Sequence, residues 1–310
     1  MSRNPIAAAL THTDTLILDG ALATELEARG CNLADTLWSA KVLMENPELI
    51  YQVHYDYFAA GANVAITASY QATPLGFAAR GLDSGQASAL IRQSVALAQR
   101  ARDDYRAASG SEAPLLVAGS VGPYGAYLAN GAEYRGDYAL PAAEMKDFHR
   151  PRVAALLEAG VDLLACETLP SFGEIQALIS LLAEFPHSSA WFSFTLRDAQ
   201  HLSDGTPLSK VAEVINAAPQ VVAVGLNCVA LESVTPALQT LQALTDKPLL
   251  VYPNSGEQYD AVSKSWHSAP SGCTLHDKFP EWQQAGARLI GGCCRTTPQD
   301  IAAIAACCQP

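Results

Sequence analysis

Eight short apolar runs alternate with amphipathic segments along the whole chain of 310 residues. Most of the runs show no polar alternation, which is typical of parallel strands covered on both faces. The runs span 15–19, 64–69, 115–120, 163–168, 190–196, 223–228, 248–252 and 289–292, and the main amphipathic segments span 47–60, 84–107, 142–159, 171–183, 208–217, 231–244, 279–286 and 299–307. This alternation predicts a (β/α)8 barrel of the TIM type that takes up residues 1–310 as one domain.

Three Ala-Gly pairs support the count of elements. Gly61, Gly160 and Gly286 each follow a predicted helix and come just before a predicted strand. Glycine is the preferred residue in the left-handed position that closes a helix, so each pair predicts a helix end followed by a tight turn. A doubly wound open sheet is the alternative architecture. The chain lacks a glycine-rich phosphate-binding motif after its first strand, which weakens that alternative.

Composition excludes several classes of function. Charged residues make up 16% of the chain, below the roughly 25% of typical soluble proteins, so a large core or a subunit contact of a homo-oligomer is expected. The net charge is −12 and the 19 Lys and Arg residues are scattered, which argues against nucleic acid and against an anionic membrane surface. No apolar run approaches the ~18 residues of a membrane span. The eight cysteines do not form the spacing of a secreted disulfide framework, so reduced thiols in the cytoplasm are expected.

Three cysteines stand at the ends of predicted strands. Cys228 ends the sixth strand, and Cys293 and Cys294 follow the eighth. The carboxyl ends of barrel strands open onto one face, so the three thiols should meet there. Three thiolates leave the fourth position of a tetrahedral zinc site open, which is the arrangement of catalytic zinc, and we predict one Zn²⁺ per chain. For the other five cysteines we expect core or bystander roles: Cys31, Cys166, Cys273, Cys307 and Cys308.

Two acidic residues stand at the same predicted face. Asp19 ends the first strand and Glu167 lies at the end of the fourth, with no obvious cationic partner nearby in sequence. Both positions favour substrate binding at the mouth of a barrel. Asp19 could instead cap the first helix, and Glu167 could be a solvated rim charge.

The residues at these strand ends give the chain a specific resemblance. It resembles the homocysteine S-methyltransferase family over nearly its whole length, and most closely the bacterial and plant members that use S-methylmethionine and sometimes S-adenosylmethionine. The resemblance implies a zinc-dependent barrel that converts homocysteine to methionine. It rests on Leu18-Asp19-Gly20, Glu45-Asn46-Pro47, Thr67-Ala68-Ser69-Tyr70-Gln71, Gly119-Ser120-Val121-Gly122-Pro123-Tyr124-Gly125, Glu167-Thr168, Gly225-Leu226-Asn227-Cys228, Tyr252-Pro253-Asn254-Ser255-Gly256-Glu257 and Gly291-Gly292-Cys293-Cys294.

The resemblance also implies how homocysteine is held. Its sulfur would occupy the open position of the zinc, and its ammonium group would pair with Asp19 and Glu167. Ala21 and Asn227 would also contact it. Relatives that use betaine have a Tyr directly after the glutamate, which binds zinc in the absence of homocysteine, but this chain has Thr168 there. Water or the Asn227 oxygen could fill that position instead.

A sulfonium donor could rest against aromatic rings, as quaternary ammonium ligands do. The candidates are Trp38, Tyr70 and Tyr124, which stand in or beside predicted rim loops. By resemblance Trp38 is the best of them, because betaine-using relatives have a Trp in the corresponding loop.

Other functions remain open at this point. Within methyl transfer, glycine betaine or a folate could be the donor, although a chain ending at Pro310 leaves no room for extra cobalamin or folate modules. Cys228 or Cys293 could be the covalent nucleophile of a hydrolase. The zinc could also be structural, or part of a thiol-binding sensor.

Overall fold

Eight parallel strands form a closed barrel in the computed structural model, which describes residues 4–33, 37, 39–256, 258–260, 265–267 and 272–308. The strands are β1 (Leu16–Ile17), β2 (Val64–Ile66), β3 (Leu116–Val121), β4 (Leu163–Leu169), β5 (Ala190–Phe194), β6 (Val221–Asn227), β7 (Leu249–Tyr252) and β8 (Ala287–Ile290). Their order in the sheet is β1-β8-β7-β6-β5-β4-β3-β2. A parallel bridge between Leu18 and Val64 joins the two ends. The predicted (β/α)8 barrel is confirmed, and the open sheet is wrong.

Helices fill the connections between the strands. They are α1 (Pro5–Ala9), α2 (Leu22–Ala28), α3 (Ser39–Glu45), α4 (Pro47–Ala59), α5 (Pro74–Ala78), α6 (Ser84–Ser109), α7 (Tyr124–Tyr127), α8 (Ala142–Glu158), α9 (Phe172–Leu182), α10 (Leu208–Ala217), α11 (Leu231–Gln242), α12 (Leu275–Gln284) and α13 (Pro298–Ala306), with a 3₁₀ turn at Ala132–Tyr134. All eight predicted helices are present. The α12 helix begins four residues before the predicted start, because Thr274 and Asp277 form a capping box there.

The three Ala-Gly pairs close helices as predicted. Gly61, Gly160 and Gly286 follow α4, α8 and α12 and have φ angles of 101°, 80° and 94°. These left-handed conformations are open to glycine and unfavourable for most other residues. Each turn therefore delivers the chain directly into the next barrel strand.

Side chains from the strands pack on two sides of the barrel wall. Alternate residues such as Leu16, Leu163, Trp191 and Leu289 fill the barrel interior. The residues between them, such as Ile17, pack outwards against the helices. This alternation explains the continuous apolar runs, because both faces of every strand are buried.

Two short antiparallel hairpins extend beyond the carboxyl ends of the strands. One pairs Leu196–Asp198 with His201–Leu202 after β5, and the other pairs Gln258–Asp260 with Ser265–His267 after β7. Within the described ranges, no helix has the length and apolar character needed to cross a membrane.

Candidate active site

A cavity of about 720 Å³ opens at the carboxyl ends of the barrel strands. The residues that follow or end strands β1, β2, β3, β4, β6, β7 and β8 all contribute to its wall. Those used below are Asp19, Ala21, Glu27, Tyr70, Gln71, Ser120, Glu133, Tyr134, Glu167, Thr168, Asn227, Cys228, Tyr252, Asn254, Cys293, Cys294 and Arg295. Most of the side chains chosen from the sequence therefore lie in one chamber.

The three predicted sulfur ligands meet in this cavity. The sulfur atoms of Cys228, Cys293 and Cys294 all lie within 4.8 Å of one another, which is close enough for them to hold one metal ion. The structure joins Cys228 and Cys293 as a disulfide and leaves Cys294 as a free thiol. Sulfurs placed to share one metal ion are also close enough to bond to each other on oxidation.

The backbone turns sharply at the sulfur cluster. Cys228, directly after β6, has a φ of 52°, and Arg295, directly after Cys294, has a φ of 68°. Positive φ angles are uncommon in residues other than glycine and cluster at functional sites. Two backbone hydrogen bonds fix the cluster to β7 and the residue after it, from Cys228 N to Tyr252 O at 3.1 Å and from Cys293 N to Pro253 O at 2.7 Å.

Asp19 and Glu167 are both buried at the floor of the cavity, with exposed fractions of 3% and 6%. Asp19 accepts a hydrogen bond from the backbone N–H of Ile66 at 2.8 Å, and it caps no helix. Glu167 accepts hydrogen bonds from the hydroxyl of Ser120 and, at 3.0 Å, from that of Tyr252. Neither carboxyl group is a solvated rim charge.

Burial controls the protonation of these two acids. It raises the pKa of Asp19 well above its ordinary value, against the lowering effect of the Ile66 hydrogen bond, and repulsion from Glu167 raises it further. Burial also raises the pKa of Glu167 to about 7, although the hydrogen bonds from Ser120 and Tyr252 lower it. A cation that enters the cavity beside these acids therefore stabilises the ionised form of both.

Asn227 and Thr168 link the sulfur cluster to Tyr70. The Asn227 oxygen accepts from the backbone N–H of Thr168 at 2.7 Å, and its nitrogen donates to the Thr168 hydroxyl at 2.7 Å and to the Cys228 sulfur at 3.5 Å. Thr168 in turn hydrogen-bonds Tyr70. The amide nitrogen of Asn227 faces Cys228, so the geometry does not favour its oxygen as a metal ligand.

Three further predicted contacts have different positions. Ala21 lines the cavity, but its N–H donates to Thr296 and its carbonyl accepts from Tyr57 at 3.1 Å. Tyr124 is not among the residues that line the cavity, because its ring packs against Phe148 at 5.0 Å between ring centroids. Trp38 lies outside the described residues.

Sequence reasoning missed Glu133 and Tyr134, which reach the cavity from the loop after β3. The Tyr134 hydroxyl donates a hydrogen bond to the Cys294 sulfur. The Oε2 atom of Glu133 is buried, and no described residue forms a hydrogen bond with it. The available signal was the loop itself, since residues 122–137 form a long irregular stretch directly after a predicted strand, where barrels place active-site groups.

A buried Arg152 on α8 holds the loops that carry several of these residues. Its guanidinium donates to the carbonyl oxygen of Tyr70 at 2.6 Å and to that of Gly122 at 2.5 Å. A buried hydrogen bond joins His149 to Glu174 at 2.7 Å, and burial lowers the pKa of His149. These contacts fix the ends of β2 and β3, and so fix one wall of the cavity.

The chain is similar to known methyltransferases over almost its full length. It matches the family model described as homocysteine S-methyltransferase over residues 16–308. It is 66% identical to a homocysteine S-methyltransferase of Escherichia coli over 98% of both chains. It is 52% identical to homocysteine S-methyltransferase YbgG of Bacillus subtilis, over 98% of this chain and 97% of that protein.

Solved structures agree with this similarity. The metallated form of the homocysteine methyltransferase MmuM from Escherichia coli superposes with a TM-score of 0.90 at 63% identity, covering 98% of this chain and 99% of that one. An oxidized form of the same protein superposes with a TM-score of 0.91 at 63% identity and the same coverage. With this match in sequence and fold, and with a three-sulfur cluster that can hold a metal ion, the chain is a methyltransferase enzyme that belongs to the homocysteine S-methyltransferase family.

Proposed function

We propose that the protein transfers a methyl group from a sulfonium donor to the thiolate of homocysteine, with one Zn²⁺ held by Cys228, Cys293 and Cys294. The donor is S-methylmethionine or S-adenosylmethionine. The observation that carries the proposal is the shared cavity, whose wall contains both three sulfurs within 4.8 Å of one another and two buried carboxyl groups. The proposed reaction uses neither folate nor cobalamin.

The donor set fits zinc. Three cysteine sulfurs form a soft ligand group of the kind that zinc accepts in tetrahedral geometry, and they leave one position for a substrate. When bound, zinc would supply a deprotonated homocysteine sulfur at neutral pH. Coordination requires the reduced form of Cys228 and Cys293, since a disulfide cannot provide two thiolate ligands.

The acids at the cavity floor are placed to orient homocysteine. Its ammonium group would lie between Asp19 and Glu167, which repel one another when both are ionised. A cation relieves that repulsion and offsets the desolvation of both carboxyl groups. Ser120 and Tyr252 hold Glu167 through its two oxygens, so the ammonium would be bound in a fixed direction. This would direct the homocysteine sulfur towards the cysteines.

The transfer itself needs no acid or base from the protein. The homocysteine sulfur forms a bond to the methyl carbon while the bond from that carbon to the sulfonium sulfur breaks. The electron pair of the broken bond stays on the donor sulfur, which leaves as a neutral thioether. The rings of Tyr70 and Tyr134 line the cavity and would contact the sulfonium, at about 0.5–2 kcal/mol per ring.

Initial rates with different donors test this proposal. Purified, reduced protein is supplied with homocysteine and with S-methylmethionine, S-adenosylmethionine or glycine betaine, and zinc is measured on the same sample. We expect about one zinc per chain and methionine formation that is much faster with a sulfonium donor than with betaine. Methionine formation from betaine alone, or full activity in a zinc-free sample, would overturn the proposal.

A further inference from the structure

The cavity contains a carboxyl group that has no role in the proposed binding of homocysteine. Glu133 lines the cavity, and its Oε2 atom is buried without a hydrogen-bond partner among the residues that the structure describes. Burial raises its pKa, and a hydrogen bond from its own backbone N–H and the charge of Arg135 lower it only partly. Among the described residues Arg135 pairs with Asp137 at 2.8 Å. A buried carboxylate oxygen without a partner is unfavourable, so this position is suited to a ligand that brings N–H donors or a positive charge.

Glu133 belongs to a different part of the cavity from the homocysteine acids. Asp19 and Glu167 lie near the ends of β1 and β4 and are close enough to repel each other when both are ionised. Glu133 instead lies in the loop after β3, directly before Tyr134, whose ring is one of the two proposed to contact the sulfonium. The unused carboxyl group is therefore on the donor side.

A second unpaired acceptor accompanies it. The Gln71 side chain donates through its nitrogen to the carbonyl of Ala126 at 2.9 Å, which fixes the orientation of the amide. Its Oε1 atom is then buried and has no partner within the described part of the chain. The two acceptors stand on neighbouring loops, since Gly125, next to Ala126, packs so closely on Glu133 that an added Cβ would lie 2.6 Å from the Glu133 nitrogen. Two oxygens that lack donors suit a group with several N–H bonds.

The chemistry of methyl transfer decides which cation this is. The sulfonium loses its charge in the reaction, so a carboxylate against it would stabilise the donor more than the transition state and slow the reaction. An ammonium group keeps its charge throughout, and binding it lowers KM without that penalty. We infer, on the basis of the proposed function, that Glu133, with Gln71 beside it, binds the α-ammonium group of the methyl donor and selects amino-acid sulfonium donors.

The test compares two donors that differ in one group. S-methylmethionine is compared with 4-(dimethylsulfonio)butyrate, which has the same sulfonium and carboxylate and lacks the amino group. In zinc-loaded, reduced enzyme, the Glu133→Gln variant should raise KM for S-methylmethionine 10- to 100-fold, as expected for a lost charge-assisted hydrogen bond, and leave kcat within about threefold. KM for the butyrate and for homocysteine should stay within about twofold.

A matched control separates a local contact from the general field of the cavity. Glu27 also lines the cavity, is exposed, and carries the same charge. Glu27→Gln should change KM for both donors equally and by less than threefold. Thermal unfolding of each variant checks that the fold is intact.

Equilibrium binding keeps this inference separate from the proposed function. Titration calorimetry of S-methylmethionine and of the butyrate into the protein without homocysteine needs no methyl transfer. Wild type should bind S-methylmethionine at least tenfold more tightly than the butyrate, and Glu133→Gln should remove that preference. A preference that survives in Glu133→Gln, or an equal loss of affinity for both donors, would overturn the role of Glu133. Failure of the wild type to form methionine would overturn only the proposed function.

Discussion

At the scale of single residues, Glu167 shows how function and stability oppose each other. Its carboxyl group is buried in a cavity wall, and burial raises its pKa to about 7 from an ordinary value near 4.5. The same burial strengthens its attraction to a substrate cation, because there is little water to screen it. Without substrate, the ionised group lowers the free energy of unfolding.

The pH dependence of stability tests this cost. The folded protein holds the Glu167 proton more tightly than the unfolded chain, so this group's contribution is most favourable below pH 4.5 and is lost as pH rises through about 7. The side-chain amide of Gln does not ionise, so a Gln at this position avoids the loss of stability at high pH. Glu167→Gln should therefore have a higher free energy of unfolding than wild type at pH 8, and this difference should be about 2 kcal/mol smaller at pH 5. Urea unfolding at the two pH values measures it.

An exposed acid provides the control. Glu144 lies exposed in the first turn of α8, so Glu144→Gln should give the same difference from wild type at both pH values. A difference for Glu167→Gln that stays constant with pH, or that is larger at pH 5, would contradict the assignment of a buried carboxylate.

Some residues of the site could be predicted and others could not. Cys228, Cys294 and Glu167 lie in or just after the carboxyl-terminal ends of strands, and the barrel alone determines where strand ends meet. Glu133 and Tyr134 lie within a loop, where the direction of a side chain depends on contacts distant in sequence. The hydrogen bond from the Thr195 hydroxyl to the Glu133 carbonyl at 2.8 Å is one such contact, and no local sequence pattern predicts it.

At the scale of elements, Gly225 shows why β6 has the sequence it has. It pairs with Leu250 of β7, and an added Cβ would lie 1.7 Å from the Leu250 carbonyl oxygen. No other residue fits without moving one strand from the other. Since Cys228 follows three residues later, this pairing also sets the position of the Cys228 sulfur along the barrel axis.

Substitution of this glycine should therefore be severe. We expect Gly225→Ala to lower the free energy of unfolding by about 4 kcal/mol or more, because the clash is with backbone and no side chain can yield. The control is Gly173→Ala in α9, where the nearest atom to an added Cβ is 3.8 Å away. That change should be neutral or stabilise the protein by up to about 1 kcal/mol. Equal effects of the two changes in urea unfolding would show that the β6–β7 contact is looser than described.

Element lengths determine which elements the sequence could predict. Long helices such as α6 (Ser84–Ser109) give several turns of apolar periodicity and an identifiable Asp83 cap. Short helices such as α5 (Pro74–Ala78) and α7 (Tyr124–Tyr127) span about one turn, which is too short for a periodic signal. The misplacement of Tyr124 follows from this, since its ring direction depends on a turn that no pattern predicted.

At the scale of the whole molecule, the barrel assembles a site from the two ends of the chain. Asp19 and Cys294 are 275 positions apart in the sequence and line one cavity. Among the described residues of its wall the acids outnumber the bases, with Asp19, Glu27, Glu133 and Glu167 against Arg295. A negative chamber of this kind suits two substrates that each carry an ammonium group, one of which also carries a sulfonium. The sequence could indicate the three sulfurs but not which two of them lie in contact.

Zinc content and methionine formation, measured together in reduced wild type and in Cys294→Ser, test the central claim most directly. Cys307→Ser is the control, because Cys307 is exposed and lies on the C-terminal side of α13, away from the sulfur cluster. We expect about one zinc per chain and methionine formation from a sulfonium donor in wild type and in the control. Both should fall at least tenfold in Cys294→Ser, since one of three ligands is lost. Full zinc content with undiminished methionine formation in Cys294→Ser would contradict the claim that the three sulfurs hold the metal used in methyl transfer.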